Sequence, residues 1–166
     1  MTNPSLTLTF LFAGVLIANL LTKLWLSTRQ VQHVAAHRAQ VPDAFAQTIS
    51  LQAHQKAADY TLAKSRVSLI DLGLDALTLL GWTLLGGLDL LNQITQDLLG
   101  PGMTQQVVLV VSFALIGGVI GLPLSLYQTF GIEQRFGFNN TTLALWVSDL
   151  FKGLLVGLLL LSLIHI

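Results

Sequence analysis

The sequence predicts an all-α, polytopic integral membrane bundle of about four transmembrane helices, with a long second helix extending into the cytoplasm. Two observations carry this. The 166 residues are 53% hydrophobic and only 10% charged, with a mean hydropathy of +0.71, whereas soluble domains carry about 25% charge. The few charges are also unevenly placed, with none between Met1 and Thr22 and none between Leu98 and Ile132. Apolar windows of that length suit helices that cross the ~30 Å hydrocarbon layer in roughly 20 residues. A soluble enzyme, a nucleic-acid binder and a disordered chain are therefore disfavoured. The formal net charge of zero gives no long-range attraction for polyanions. The absence of cysteine removes disulfides, thiolate metal sites and thiol nucleophiles.

The first span is expected over about 6–26. No Lys or Arg precedes it, its apolar run is long for a signal peptide, and no small-residue cleavage site stands out, so it reads as uncleaved. The second helix begins at Ser50, a plausible N-cap, and enters the membrane near Val67 as a span over about 67–91. Some 40 residues of helix reach about 60 Å, so its N-terminal half should stand in water. The third span, about 106–130, follows the Gly100-Pro101-Gly102 turn, and Pro123 should kink or end it. The fourth, about 143–160, follows Asn139-Asn140-Thr141-Thr142, which supplies N-cap chemistry. Gly117/Gly121 and Gly153/Gly157 are spaced for close helix approach in lipid.

Orientation follows the basic residues. Lys23, Arg29, Arg38, Lys56, Lys64 and Arg66 fall between spans one and two, and Arg135 and Lys152 around the junction of spans three and four. The stretch from Leu90 to Thr104 has no basic residue and carries Asp97. Alternating topology puts every basic residue on one side, read as cytoplasmic, with the N-terminus outside. Asn139 and Asn140 match the glycosylation sequon but fall on that side, so no glycan is expected.

Asp71, Asp75 and Asp89 lie in or beside the second span, where a lone carboxylate is costly. On one continuous helix at about 100° per residue, these three and Lys64 mark a single polar stripe, expected to line a water-filled cavity. His33 and His37 are four apart on an expected amphipathic helix, but Val34 stands where a helical zinc protease needs Glu. Those two and His54 therefore read as solvated or interfacial histidines. No catalytic triad, phosphate loop or dinucleotide fingerprint is visible.

Two segments go further: Gln55-Lys-Ala-Ala-Asp-Tyr60-Thr-Leu-Ala-Lys64, and Gly121-Leu-Pro-Leu-Ser-Leu-Tyr-Gln-Thr-Phe130 leading into Glu133-Gln-Arg-Phe-Gly-Phe-Asn139, Thr142 and Asp149-Leu-Phe-Lys152. Together they closely resemble the N-terminal membrane region of the type I CAAX prenyl proteases, multispan zinc metalloendopeptidases, and the resemblance covers residues 1–160. It implies a parent in which helices enclose an intramembrane chamber. Zinc there is held by a His-Glu-x-x-His helix and a later Glu, both C-terminal to the matched region, and its bound water attacks the scissile carbonyl. By position, Lys64, Asp71, Asp75 and Asp89 are chamber-lining candidates. Glu133, Arg135, Phe136, Gly137, Phe138 and Asn139 form a cytoplasmic loop near the chamber mouth, and Asp149 and Lys152 anchor the fourth helix.

The implied partners are the lipid bilayer, prenylated CAAX-type or membrane protein substrates of the parent, and the missing C-terminal helices and catalytic domain, with no nucleic acid. The implied setting is a bacterial inner membrane. Zinc belongs to the intact parent; this portion alone is expected to bind none and to be inactive. Leu161-Ser-Leu-Ile-His-Ile166 back-translates as CTG TCT CTT ATA CAC ATC, which resembles the end of a transposase-type sequencing adapter, so 161–166 is expected to be a non-native tail. The rival reading is a complete non-enzymatic membrane scaffold or partner subunit. A small transporter rests only on the intramembrane carboxylates.

Overall fold

The computed structural model describes residues 4–164, and every regular element among them is helical. His165 and Ile166, within the tail expected to be non-native, lie outside the described residues. The chain forms two compact units, residues 1–87 and 88–166.

The first unit is a hairpin of two long helices, α1 (Pro4–Ala36) and α2 (Leu51–Thr83), joined through a short 3₁₀ turn at Asp43–Phe45. Each has 33 residues, or about 50 Å of helix. Both therefore project past a bilayer, not α2 alone. The helix expected around His33 and His37 is simply the continuation of the first span. Ser50 caps α2, its hydroxyl accepting from the Ala53 N–H at 3.2 Å.

The second helix does not run unbroken to Leu91. It stops at Thr83, and the Leu84 and Leu85 N–H groups both donate to the Leu80 carbonyl, at 2.9 and 3.0 Å. Gly86 then takes φ +79° and α3 (Gly87–Leu99) begins. Glycine is needed at both positions. A side chain at Gly86 would be strained in the left-handed region, and a Cβ on Gly87 would stand 2.7 Å from the Gly81 carbonyl oxygen.

In the second unit, α4 (Met103–Leu126) passes through Pro123 without ending there. Proline offers no N–H to the ladder, and four residues later the chain enters a π-helical stretch, Tyr127–Glu133. One α turn follows, α5 (Gln134–Phe136), and then α6 (Leu143–Ile164). At the α3–α4 corner the buried Gln105 amide donates to Asn92 Oδ1 at 2.9 Å and to Thr95 Oγ1 at 3.0 Å. Gly118, Gly153 and Gly157 line an open apolar groove between α4 and α6. A Cβ at Gly117, Gly121, Gly153 or Gly157 would meet nothing within 4 Å, so among the described residues these glycines do not mediate the close approach their spacing suggested.

The burial pattern is the inverse of a soluble domain. The buried apolar residues among those described are Ala58, Val67, Ala76 and Ile132, while Phe10 is 74% exposed and Leu8 66%. Three stretches, Leu6–Ala36, Met103–Phe136 and Leu143–Leu160, are long and apolar enough to span a membrane, and α2 with α3 passes only as a bent pair, the pattern of a broken span or a re-entrant loop. Outward apolar surface of this extent requires lipid around it. The protein is an integral membrane protein.

Candidate functional site: a polar cleft between the first two helices

Near the connecting turn, α1 and α2 are clasped by polar contacts. Arg38 donates Nε to Asp59 Oδ1 at 2.6 Å and Nη2 to Asp59 Oδ2 at 2.8 Å, a planar two-point match of guanidinium to carboxylate. The hydrogen bonds that the Asp59 carboxylate accepts, and then its charge, hold the Arg38 guanidinium above its ordinary pKa. His54 Nε2 meets the His37 carbonyl at 2.9 Å, and His37 Nδ1 meets the His33 carbonyl at 2.8 Å. A ring nitrogen paired with a carbonyl must carry its hydrogen, which leaves it no lone pair for a metal. The His33 and His37 rings lie 4.2 Å apart, tilted by 36°.

Farther from the turn, the two helices part into an open cleft of about 400 Å³. From α1 it is lined by Lys23, Leu26, Ser27 and Gln30, and from α2 by Ser65, Ser68, Leu69, Asp71, Leu72 and Asp75. The lining follows from helical geometry. Lys23, Ser27 and Gln30 recur at i, i+4 and i+7, and Ser68, Asp71 and Asp75 at i, i+3 and i+7, so each set occupies one face. The cleft therefore holds one ammonium, two carboxylates, three hydroxyls and an amide.

Of the four residues predicted to share a stripe, the structure brings Asp71 and Asp75 together in this cleft. Lys64 is exposed and outside its lining. Its Nζ donates to Tyr60 Oη at 3.4 Å and lies 5.6 Å from the Tyr60 ring centre. Asp89 lies beyond the helix break, so the rotation that aligned it with Asp71 does not carry through. It stands instead in the first turn of α3, where a carboxylate suits the helix dipole. Lys23, Ser27, Gln30, Ser65 and Ser68 were missed. Lys23 served only as a topology marker, although its i, i+4, i+7 polar row was present in the sequence.

The loop and anchor candidates build a local turn in the second unit. Gly137, at φ +73°, lets the chain reverse, so the Glu133 carbonyl accepts from the Phe138 and Asn139 N–H groups at 2.8 and 3.2 Å. Arg135 lies 5.8 Å from the Phe136 ring centre. Asn139 Oδ1 accepts from the Thr141 N–H at 2.7 Å, and Thr142 Oγ1 accepts from the Leu145 N–H at 3.2 Å, capping α6. Lys152 donates to Asp149 at 3.2 Å on an exposed face.

Among the described residues, no three His, Asp or Glu side chains gather closely enough to hold a metal ion. The donor set present does not fit a catalytic zinc, and no step through zinc follows from these residues.

These elements define a polytopic helical membrane protein with a polar cleft set into its first helix pair. Residues 30–166 match the family model described as CAAX prenyl protease N-terminal, five membrane helices. The chain belongs to this family and corresponds to the N-terminal region of its members. It is 30% identical over 178 residues to the probable CAAX prenyl protease 1 of Schizosaccharomyces pombe, a match covering 97% of this chain and 36% of that protein. It is 31% identical over 157 residues to the CAAX prenyl protease 1 homolog of Homo sapiens, covering 88% and 33% respectively. The fold superposes on the crystal structure of S. mikatae Ste24p with a TM-score of 0.86 at 21% identity, over 99% of this chain and 38% of that one. The chain thus spans about a third of the length of the relatives it matches.

Proposed function

We propose that this chain is the N-terminal membrane portion of a zinc metalloendopeptidase that cleaves prenylated CAAX-type or other membrane protein substrates inside an intramembrane chamber. The observation that carries the reading is the family match over 30–166. In this reading the α1–α2 cleft is part of the chamber wall, with Asp71 and Asp75 facing its water. The turn from Glu133 to Asn139 lies at the chamber mouth, and Asp149 and Lys152 settle the start of α6. The His-Glu-x-x-His helix and its zinc are supplied by the rest of the parent, and the 166-residue portion by itself is inactive. The setting is a bacterial inner membrane, with the N-terminus outside and the α1–α2 connection in the cytoplasm.

The test begins with genomic DNA read beyond codon 160. A continuing frame that encodes His-Glu-x-x-His supports the reading, and the protein expressed from it should release the C-terminal tripeptide from a farnesylated CAAX peptide in a chelator-sensitive manner. A native stop after Ile166 would overturn it in favour of a non-enzymatic membrane subunit.

A further inference from the structure

We propose that His33 and His37, at the C-terminal end of α1, form a surface site for a divalent late transition metal of the copper and nickel class. One nitrogen of each ring holds the ion, and water completes its coordination. The inference rests on the spacing and the tautomer of the two rings, not on the protease reading.

Spacing brings the rings together. Residues four apart on a helix stand one above the other on the same face, and two histidines so placed can share one ion. Although α1 ends at Ala36, the His37 N–H still donates to the His33 carbonyl at 3.1 Å, so His37 keeps the helical register. The two ring centres lie 4.2 Å apart. An ion about 2 Å from each nitrogen sets neighbouring ring centres about 4.5 Å apart in a tetragonal site and about 5 Å apart in a tetrahedral one. The observed separation suits the tetragonal arrangement that copper(II) and nickel(II) favour, and imidazole is a good ligand for both.

The tautomer supplies the ligand atom. The His33 carbonyl also meets His37 Nδ1 at 2.8 Å. A carbonyl cannot donate, so Nδ1 carries the hydrogen and Nε2 keeps its lone pair. A ring tied through its N–H to a carbonyl is the usual support of a metal-bound histidine, because the tie orients the ring and makes the other nitrogen more basic. Among the described residues no hydrogen bond occupies a ring nitrogen of His33, which can therefore present either one. His54 Nε2 donates to the His37 carbonyl at 2.9 Å and ties the backbone that carries the pair to α2. The cations next to the pair in sequence are engaged elsewhere, Arg38 with Asp59 and Arg29 over the Trp25 ring. Both histidines are exposed, so an ion can reach them with its remaining water.

The test is to add one equivalent of copper(II) to the full-length, tag-free protein in detergent and to count the coordinated imidazoles by pulsed electron paramagnetic resonance. Two imidazoles are expected in the unmodified protein and one in His33→Gln or in His37→Gln. Loss of even an outer partner of a ligand costs tenfold or more, so copper affinity should fall at least about tenfold in either variant. The two-imidazole signal should vanish in the double variant. It should persist in His54→Gln, which removes a backbone tie and no ligand. Circular dichroism checks that each variant keeps its helices. Should a variant unfold, the unmodified protein decides, where fewer than two coordinated imidazoles overturns the proposal. A two-imidazole signal that survives in the double variant, or that is lost in His54→Gln with the helices intact, overturns it as well.

Discussion

Arg38 and Asp59 hold the ends of α1 and α2 together through paired hydrogen bonds of 2.6 and 2.8 Å, with side chains 42% and 40% exposed. At that exposure water screens the pair, so its weight in overall stability is small and its effect is local. Arg38→Gln or Asp59→Asn should lower the melting temperature only slightly. Either should markedly speed proteolytic nicking within residues 37–50, read by timed digestion in detergent. The Arg38 pKa is raised by Asp59. Its contribution is therefore complete below the ordinary arginine value and lost only as pH rises through a still higher one. Moderate alkali should not loosen the clasp.

Gln105 carries more. It and Thr95 are each 4% exposed, and its amide bridges Asn92 and Thr95 at the α3–α4 corner. Gln105→Ala removes both hydrogen bonds and leaves Asn92 Oδ1 only the longer 3.4 Å contact from Gln96 Nε2, at a cost of about 1–2 kcal/mol. Thermal unfolding in detergent should show a clear drop, well beyond that of Arg38→Gln.

The glycines divide sharply. Gly87→Ala places a Cβ 2.7 Å from a backbone oxygen, so the helix break must shift, and a loss of about 1–2 kcal/mol is expected from overpacking. Gly73→Ala meets open space inside α2 and should stabilise by up to about 1 kcal/mol through helix propensity. Urea titration of the two variants side by side checks the opposite signs.

That break marks the limit of what the sequence disclosed. Local capping was legible, because a hydroxyl before a helix has one nearby N–H to satisfy: Ser50 and Thr142 both cap as their positions suggested. The spans were legible because apolar length in a bilayer has few other meanings. The break at 84–86 was not, since glycine is common in membrane helices and nothing local separates Gly86 and Gly87, which end a helix, from Gly117 and Gly118, which do not. The cleft was half legible. Asp71 and Asp75 stood out as costly charges, but Lys23 became their neighbour only through the pairing of α1 with α2, which sequence spacing does not disclose.

Asp149 and Lys152 form a pair with side chains 59% and 67% exposed. A solvent-facing pair three residues apart contributes within about 0.5 kcal/mol. Lys152→Gln should leave the melting temperature almost unchanged in detergent. A large drop would mean that Lys152 has a partner elsewhere in the longer protein.

The absence of cysteine makes the proposed orientation directly measurable, because any single substitution becomes the sole thiol in the chain. Ser68 lies in the cleft lining, Ala46 in the α1–α2 connection, and Leu11 in the charge-free part of α1. With the connection in the cytoplasm and the cleft open to water, a membrane-impermeant maleimide added to inside-out vesicles should label Ala46→Cys fastest and Ser68→Cys more slowly. Leu11→Cys should stay unlabelled. Added instead to right-side-out vesicles, the reagent should label none of the three. Labelling of Ala46→Cys from that face would reverse the orientation. If Ser68→Cys alone resists from both faces, the cleft is dry, and a dry cleft holding Lys23, Asp71 and Asp75 would be costly in the membrane.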